Sequence, residues 1–353
     1  MSKEPNVLTA DSENSYAKVS TFKRITRTKA FPLVVLLVVM IGLFAVLSPM
    51  RNDGFQAFFR TKTIWRVIQD MTVTGFLTIG IGLLIVSGNI DLSAATCGSM
   101  AGMICAVTLS WYNFSAVGAL TLAIAATLVV GVLNAVLVNE LKQPPFIATM
   151  AVNTILAAIC QLVATDKTGQ YIGIVSFNHK AFERIAGTRI GNTDINVVAV
   201  FVVIAFILYG LALSKTKFGR TLYLMGANRN ATHLAGINAK GLTYFLFINC
   251  SLLGGIAGII NASRVKAGSG MALANSQFSG MTAAILGGIS FGGGSGGMGG
   301  AFAGLVVIQT FNMGMTTSGG SPYLNPILSG GLLLAALTFD FFNTRAQNKR
   351  VGA

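Results

Sequence analysis

Residues 215–241 read KTKFGRTLYLMGANRNATHLAGINAKG and separate two apolar runs, each long enough to cross a membrane. The stretch carries five basic residues and no acid. Because Lys and Arg accumulate in connectors on the cytoplasmic side, we expect this connector to lie in the cytoplasm. Its middle, residues 227–234, lies between Gly226 and Gly236, which predicts a short helix between two glycine breaks. An ordinary solvated connector is the alternative.

The composition of the whole chain is that of a membrane protein. Of its 353 residues, 53% are hydrophobic and 10% are charged, and the mean hydropathy is +0.69. Soluble domains carry about 25% charged residues. The net charge of +14 arises in connectors and tails, so we interpret it as a topology signal and a contact with lipid headgroups, and we predict no nucleic-acid partner. The four cysteines lack metal or redox spacing, which predicts packing roles and no metal site.

Charge-free apolar runs predict an all-α polytopic protein with about ten transmembrane helices, some of them interrupted by glycine. The run at 92–139 has room for two helices, with a break at Trp111-Tyr112-Asn113. The run at 267–339 has room for three, with breaks at 292–297 and 318–326. The other predicted spans are 31–50, 71–90, 143–165, 195–214 and 241–263.

An even number of spans places both chain ends on one side of the membrane. We predict a basic cytoplasmic tail at residues 1–30, a transmembrane domain at 31–343 and a cytoplasmic tail at 344–353. Fifteen basic residues then lie inside and ten outside, in the direction that the positive-inside rule predicts. The longest outer connector, residues 166–194, is either a docking place for an extracytoplasmic protein or a solvated loop with a short helix.

The sequence SGNIDLS at residues 87–93 places the acid Asp91 between two apolar runs. A carboxylate at the centre of a bilayer costs about 2.5–3.5 kcal/mol on insertion scales, so it needs a partner or water. Asp91 or Ser93 can cap a helix that starts at Leu92, where free N–H groups and the positive end of the helix dipole lie. The second role, compatible with the first, is a polar corner of a substrate path that also includes Asn89.

Other interruptions of the apolar runs extend this candidate path. Gly287 and Gly288 break the second half of the chain 200 residues after the first break, and interrupted segments in two halves point to a substrate site. Amide side chains within spans can hydrogen-bond a neighbouring helix or a hydroxylated solute, and Asn153 and Asn249 join the candidate path for this reason. The other amides of this kind are Asn134, Gln309 and Asn312. No basic residue lies in any predicted span, which disfavours an anionic solute and an ion-coupled carrier.

Four motifs resemble, in this order, the permease subunits of bacterial ABC importers of the ribose, xylose and galactose type. They are Ile90-Asp91-Leu92-Ser93, then Pro145-Phe146-Ile147-Ala148-Thr149, then Phe218-Gly219-Arg220 with Gly226-Ala227-Asn228 and Ala235-Gly236-Ile237, and last Gly287-Gly288-Ile289-Ser290. Two positions depart from the pattern of the family. Asn230 stands where the family usually has an acid, and Ser279 stands where it often has one.

The resemblance implies that residues 215–241 form a coupling loop that docks on a separate cytoplasmic ABC ATPase. The loop residues that it implicates are Arg220, Gly226, Asn228, Asn230, Ala231 and Gly236. The sequence contains no GxxxxGK[ST] motif, so we predict that this chain is not an enzyme and binds no cofactor, and that ATP and Mg are bound by the partner.

The resemblance also implies a location in the bacterial cytoplasmic (inner) membrane. An extracytoplasmic solute-binding protein would deliver a neutral sugar or sugar-like solute, and a second copy of this chain or a paralogous permease would complete the path. The first alternative is an ion-coupled secondary carrier, which needs no ATPase. The second is a membrane scaffold that transports nothing.

Overall fold

A computed structural model describes residues 31–48, 57–166, 168–191, 195–319, 327, 330–338 and 340–341. The predicted tails therefore lie outside the described residues. The helices are α1 (Phe31–Leu47), α2 (Thr61–Val86), α3 (Ala94–Ser110), α4 (Ala116–Asn139), α5 (Pro145–Val163), α6 (Lys180–Gly187), α7 (Val197–Lys215), α8 (Lys217–Ala227), α9 (Arg229–Leu234), α10 (Ala239–Val265), α11 (Ser276–Leu286) and α12 (Met298–Thr317), with a 3₁₀ turn at Ala57–Phe59. Strands β1 (Ile174–Ser176) and β2 (Ala267–Ser269) pair antiparallel, with Val175 opposite Gly268.

Six of the described helices are long and apolar enough to cross a membrane, namely α2, α4, α5, α7, α10 and α12. Two shorter apolar helices, α1 and α3, accompany them. The expectation of about ten spans is thus not confirmed by the described part of the chain. Its clearest error is the eighth span, because α11 has only 11 residues. At 1.5 Å per residue it is about 16 Å long, half of the ~30 Å hydrocarbon core.

The predicted break between the third and fourth spans is confirmed. Helix α3 ends at Ser110 and α4 begins at Ala116. Asn113 has a left-handed φ of 51°, and the hydroxyl of Ser115 caps α4 by accepting from the N–H of Gly118 at 3.1 Å. Both polar residues favour a break here, because Asn113 tolerates the left-handed turn and Ser115 provides an acceptor for a free N–H group of α4.

Helix α10 occupies the centre of the fold and packs against α2, α3 and α4. Its contact with α3 is made backbone to backbone, with Gly254 against Ala94 and Gly258 against Gly98. A side chain at any of these glycines would overlap a carbonyl oxygen of the facing helix. Small residues thus let the two helices approach closely, which maximises van der Waals contact where lipid supplies no hydrophobic driving force.

Two non-helical segments run inside this bundle. Residues 87–93 connect α2 to α3, whose first residue contacts Gly254 near the middle of α10. Residues 266–275 run back along α3, where Gly268 packs against Met103 and Ala106, and the N–H of Leu273 donates to the hydroxyl of Ser99 at 3.0 Å. The first segment is covered by protein, which is the condition for irregular backbone at membrane depth. In the second segment Gly268 and Leu273 are buried, and half of the residues are exposed. The expected glycine-interrupted segments are therefore present.

The close packing of α3 on α10 makes a stability prediction. Gly258→Ala places a methyl group on the carbonyl oxygen of Gly98, so the backbones must separate, at a cost of about 1–3 kcal/mol. We expect a lower midpoint of thermal unfolding in detergent, followed by fluorescence-detected size-exclusion chromatography. Gly42→Ala in α1 is the matched control, since nothing lies within 4 Å of its new methyl group. Equal midpoints for the two variants would contradict the packing argument.

Candidate functional site

A polar cavity of about 670 Å³ lies between α2, α10, α11 and α12. Its polar lining is a set of amides, hydroxyls and one ion pair. The residues are Asp70, Thr74, Asn261, Arg264, Asn275, Ser276, Ser279, Gln309, Asn312 and Thr316. The volume falls within the range of about 300–1,000 Å³ that is typical of small-molecule sites, and convergent polar groups in a largely preformed pocket are what such sites use for orientation.

An ion pair and an amide network order one wall of the cavity. The guanidinium of Arg264 donates to the carboxylate of Asp70 at 2.6 Å and to the amide oxygen of Asn261 at 3.3 Å. The side-chain amide of Gln309 donates to the hydroxyl of Thr74 and to the backbone carbonyl of Asp70. These contacts hold α2, α10 and α12 in register around the cavity.

The opposite wall is the first turn of α11. Asn275 precedes this helix with a left-handed φ of 65°, and Ser276 and Ser279 face the cavity from the helix itself. The positive end of the helix dipole therefore borders the cavity. Hydroxyl groups of a bound solute can accept hydrogen bonds there while donating to the amide oxygens around them.

Asp91 is fully buried in a separate polar cluster. One of its carboxylate oxygens accepts from the N–H of Ser93 at 2.8 Å and from the hydroxyl of Ser93 at 2.6 Å. The amide of Asn134 donates to the same hydroxyl at 2.8 Å. The helix begins at Ala94 instead of the predicted Leu92, and the hydroxyl of Ser93 donates to Asp91 where a capping role required it to accept. Asp91 thus orders the turn just before the helix.

Residues 215–241 form two helices where the sequence predicted one. Helix α8 ends at Ala227, and the side chain of Asn228 accepts from the N–H groups of Asn230 and Ala231, both at 3.0 Å, to begin α9. Gly226 lies within α8, so the prediction that it breaks a helix is wrong. Gly236 has a φ of +70° and lies in the turn after α9, as predicted. Arg220, Asn228 and Asn230 are exposed, and Leu234 is 87% exposed.

Helix α8 packs on two glycine turns of the membrane domain. Gly226 lies against the carbonyl of Val86 at the end of α2 and against Gly294, in the turn at 287–297. The N–H of Gly294 donates to the carbonyl of Val86 at 2.8 Å, and the hydroxyl of Tyr223 donates to the carbonyl of Gly296 at 2.6 Å. Burial raises the pKa of Tyr223, so its hydroxyl keeps the proton that it donates. Gly226 therefore has a packing role, because its lack of a side chain lets α8 approach these two turns closely.

Comparison with known proteins identifies the family. Residues 63–337 match the sequence profile of the branched-chain amino acid transport system / permease component. The chain belongs to this permease family.

Curated relatives of the permease cover most of its length. It is 26% identical over 310 residues to the ribose import permease protein of Escherichia coli strain K12, an alignment that covers 87% of this chain and 92% of the relative. It is 29% identical to the ribose import permease protein of Bacillus subtilis strain 168, with 86% and 90% covered. It is 27% identical to the D-allose transport system permease protein of Escherichia coli strain K12, with 86% and 89% covered. No solved structure matches the permease significantly.

The structure separates the predicted path residues of the permease from the cavity. None of them is among the described residues that line it. Asn153 accepts from the hydroxyl of Thr96, and Asn249 donates to the hydroxyl of Tyr209 at 2.6 Å, so these two amides join neighbouring helices. Asn89 donates to the hydroxyl of Ser87 at 2.9 Å. Gly287 packs against the backbone of Gly300, and Gly288 has a φ of +87°.

The residues that line the cavity are harder to recognise in the sequence of the permease than the predicted path residues. Gln309 and Asn312, which the sequence did single out as amides within a span, are three residues apart and therefore share a face of α12. Asp70 and Thr74 are four residues apart, and Asn261 and Arg264 are three apart, so each of these pairs also shares a helix face. The expectation that no basic residue lies in a span is wrong, because α10 extends to Val265 and therefore contains Arg264. Its partner Asp70 lies in α2, which starts at Thr61.

The cluster around Asp91 makes a second prediction. Asp91→Asn keeps an oxygen that accepts from the N–H and hydroxyl of Ser93, so we expect near-normal folded yield and most of the transport rate. Asp91→Leu leaves those two donors without a partner, which costs about 1–3 kcal/mol per buried group, and we expect a clear loss of folded yield. Normal yield with no transport in Asp91→Asn would instead require a charge in the path.

Proposed function

We propose that this permease is the membrane subunit of an ATP-binding-cassette importer that carries a neutral sugar or sugar-like solute across the cytoplasmic membrane of a bacterium. The observation that carries the proposal is the amide- and hydroxyl-lined cavity at one end of α11, joined through that helix to the turn on which α8 packs. The names of the relatives, which are ribose and allose permeases, support the sugar class.

The balance of charges in the cavity lining supports a neutral solute. Arg264 and Asp70 neutralise each other at 2.6 Å, and the remaining polar groups are uncharged. A sugar hydroxyl both donates and accepts, so it matches a wall of amide oxygens, amide N–H groups and hydroxyls. A solute with a net charge would have to break the Arg264–Asp70 pair, which leaves one partly buried charge without its partner.

A second candidate is an amino acid, because the family description names branched-chain amino acids. The Arg264–Asp70 pair gives this candidate a physical basis, since the carboxylate and ammonium of a zwitterion can replace each partner of the pair. The apolar side chain would then need an apolar pocket, and the cavity supplies only Val73, Leu273, Phe278, Met313 and Leu333 with small residues between them. Ten of the eighteen lining residues are polar, which favours the sugar class.

Coupling to an ATPase follows from the position of α8 and α9. In this proposal both termini and residues 215–241 are cytoplasmic, and the exposed residues of the coupling loop dock on a separate ATPase that binds ATP and Mg. An extracytoplasmic binding protein delivers the solute, and a second permease copy or a paralogue completes the path. The chain itself is not an enzyme and binds no cofactor, metal or nucleic acid.

Helix α11 is the mechanical link in this proposal. Its first turn lines the cavity, and its last residues lead into the turn at 287–297, which contacts α8. Gly287, just after α11, packs against the backbone of α12, and Gly304 of α12 packs against the backbone of Ala283 in α11. Because both contacts join the backbones directly, α11 moves against α12 as a rigid body in this proposal. A displacement of α8 by the ATPase is therefore transmitted to Ser276 and Ser279. Two arrangements of α11 would correspond to outward and inward access.

The proposed function predicts ATP-dependent uptake. Proteoliposomes that contain the permease with its ATPase and binding protein should accumulate a neutral sugar only when ATP is present on the ATPase side. Collapsing proton and sodium gradients should leave uptake unchanged. A parallel panel with leucine and valine tests the amino-acid candidate. Accumulation by the permease alone under an imposed ion gradient would instead establish the carrier, and no uptake of any solute would support the scaffold.

The same assay tests the cavity. Asn312→Leu replaces an amide of the lining by an apolar side chain of similar size, so we expect normal folded yield and a loss of sugar uptake of tenfold or more, on the order of one or two lost hydrogen bonds to the solute. Gln161→Leu, which alters an exposed amide of α5 outside the cavity lining, is the matched control. Equal uptake by the two variants would contradict the placement of the solute.

The contact between α8 and the glycine turn makes a further prediction. Tyr223→Phe removes the hydrogen bond to the carbonyl of Gly296, worth about 1 kcal/mol. We expect the number of solute molecules moved per ATP hydrolysed to fall by up to about fivefold, with unchanged folded yield. Tyr171→Phe, at an exposed tyrosine in the 166–194 connector, is the control. An unchanged transport ratio in Tyr223→Phe would show that this contact does not transmit the movement.

A further inference from the structure

A basic groove of about 510 Å³ lies at the end of the bundle opposite to the coupling loop. Its charged lining consists of five basic residues and one acid. The residues are Lys180, Arg184, Arg189, Arg264, Lys266 and Glu183. The single acid forms an ion pair with Lys266 at 2.6 Å. The groove therefore has an excess of positive charge, which α6 carries as Lys180 and Arg184.

The groove has a rigid wall. Helix α6 is anchored by the buried side chain of Phe182 and by the hydroxyl of Ser263, which donates to the carbonyl of Phe182 at 2.8 Å and accepts from the N–H of Ala186 at 3.1 Å. The amide of Asn196 donates to the carbonyl of Ala186 at 2.6 Å. The described part of residues 166–194 thus contains a short helix that packs on the bundle, a feature that both alternatives for this connector allow.

The rigid helix holds two like charges side by side. Lys180 and Arg184 are exposed and four residues apart, so they share a face of α6. A like-charged pair at this spacing destabilises a helix by about 0.2–0.5 kcal/mol. In the proposed orientation the pair also lies on the outer side, where the positive-inside rule gives basic residues no topological role. An anionic partner would remove both penalties.

The groove and the solute cavity lie next to each other and share one lining residue. Arg264 lines both, with its guanidinium bonded to Asp70 and Asn261 on the cavity side. A partner seated in the groove would therefore contact the same side chain that orders the cavity wall. This shared residue favours a partner that delivers the solute.

The exposed surface of α6 argues against a lipid as the occupant. A helix that lies on a bilayer turns large apolar side chains toward the acyl chains. Phe182 and Ala186 are buried against the bundle, and the exposed positions of α6 are Lys180, Ala181, Arg184 and Gly187. The outward face is thus polar and basic, with no apolar anchor.

We propose that the basic groove docks an acidic surface of the extracytoplasmic solute-binding protein, with carboxylates of that protein against Lys180 and Arg184. The proposal rests on the proposed function. Docking there places the binding protein next to Arg264 and so aligns its solute with the cavity. Charge pairs of this kind raise the association rate and set the orientation of the complex, and their effect falls with ionic strength.

Charge reversal tests the groove. In proteoliposomes with the ATPase, ATP hydrolysis is measured against the concentration of the loaded cognate binding protein. Lys180→Glu should raise the half-saturating concentration about tenfold, with unchanged basal and maximal hydrolysis, and should flatten its dependence on salt. Lys62→Glu changes the charge by the same amount at an exposed site in the first turn of α2, outside the groove lining, and should leave the curve unchanged.

The possible results separate the two proposals. Stimulation of the unsubstituted permease together with coincident curves for Lys180→Glu and Lys62→Glu would overturn docking in the groove and leave the proposed function standing. Absence of any stimulation in the unsubstituted permease would overturn the proposed function and the docking proposal with it. A shift for Lys180→Glu that occurs only in vesicles with anionic lipid, and not in phosphatidylcholine, would assign the groove to lipid headgroups and overturn docking.

Discussion

The fold depends on the close approach of α3 and α10. Gly98 and Gly258, together with Gly254 and Ala94, bring two helix backbones into direct contact. Because α10 also packs on α2 and α4, this contact sets the register of the central helices. It also lets α3 begin near the middle of α10 and encloses the non-helical residues before it. Irregular backbone can lie at this depth only because protein surrounds it and satisfies its polar groups.

A second consequence of the close packing is the short helix α11. The segment at 266–275 follows α3 back into the bundle, where Leu273 is hydrogen-bonded to Ser99. Helix α11 therefore starts inside the fold, and its 11 residues reach from the cavity to the glycine turn under α8. A full-length span at this place would have been one continuous helix, and no helix N-terminus would have lain at the cavity. The broken arrangement instead provides a dipole end at the cavity and a compact link to α8.

The polar groups of the membrane domain divide into two classes. Asp91 forms buried hydrogen bonds with Ser93, which also accepts from Asn134, and Asn249 forms a partly buried one with Tyr209. These bonds fix the segments of the bundle to one another. The groups around Asp70 and Arg264 border an open cavity instead. A buried polar group with a partner contributes to a unique structure, whereas one that faces a cavity has bonding capacity left for a ligand. Residue type alone does not distinguish the two classes.

The sequence by itself determined the membrane class, the break at residues 111–113, the family and the glycine turn at Gly236. These follow from the length of apolar runs, the placement of charge and local turn chemistry, all of which are read along one chain. Only the tertiary structure decided which polar residues meet. Asp70, Asn261, Ser279 and Gln309 come from four helices that are far apart in sequence, and their convergence depends on a register set by glycine contacts. The same contacts shortened the predicted eighth span and moved Asp91 out of the cavity lining, because helix depth is fixed by packing between backbones and not by hydropathy.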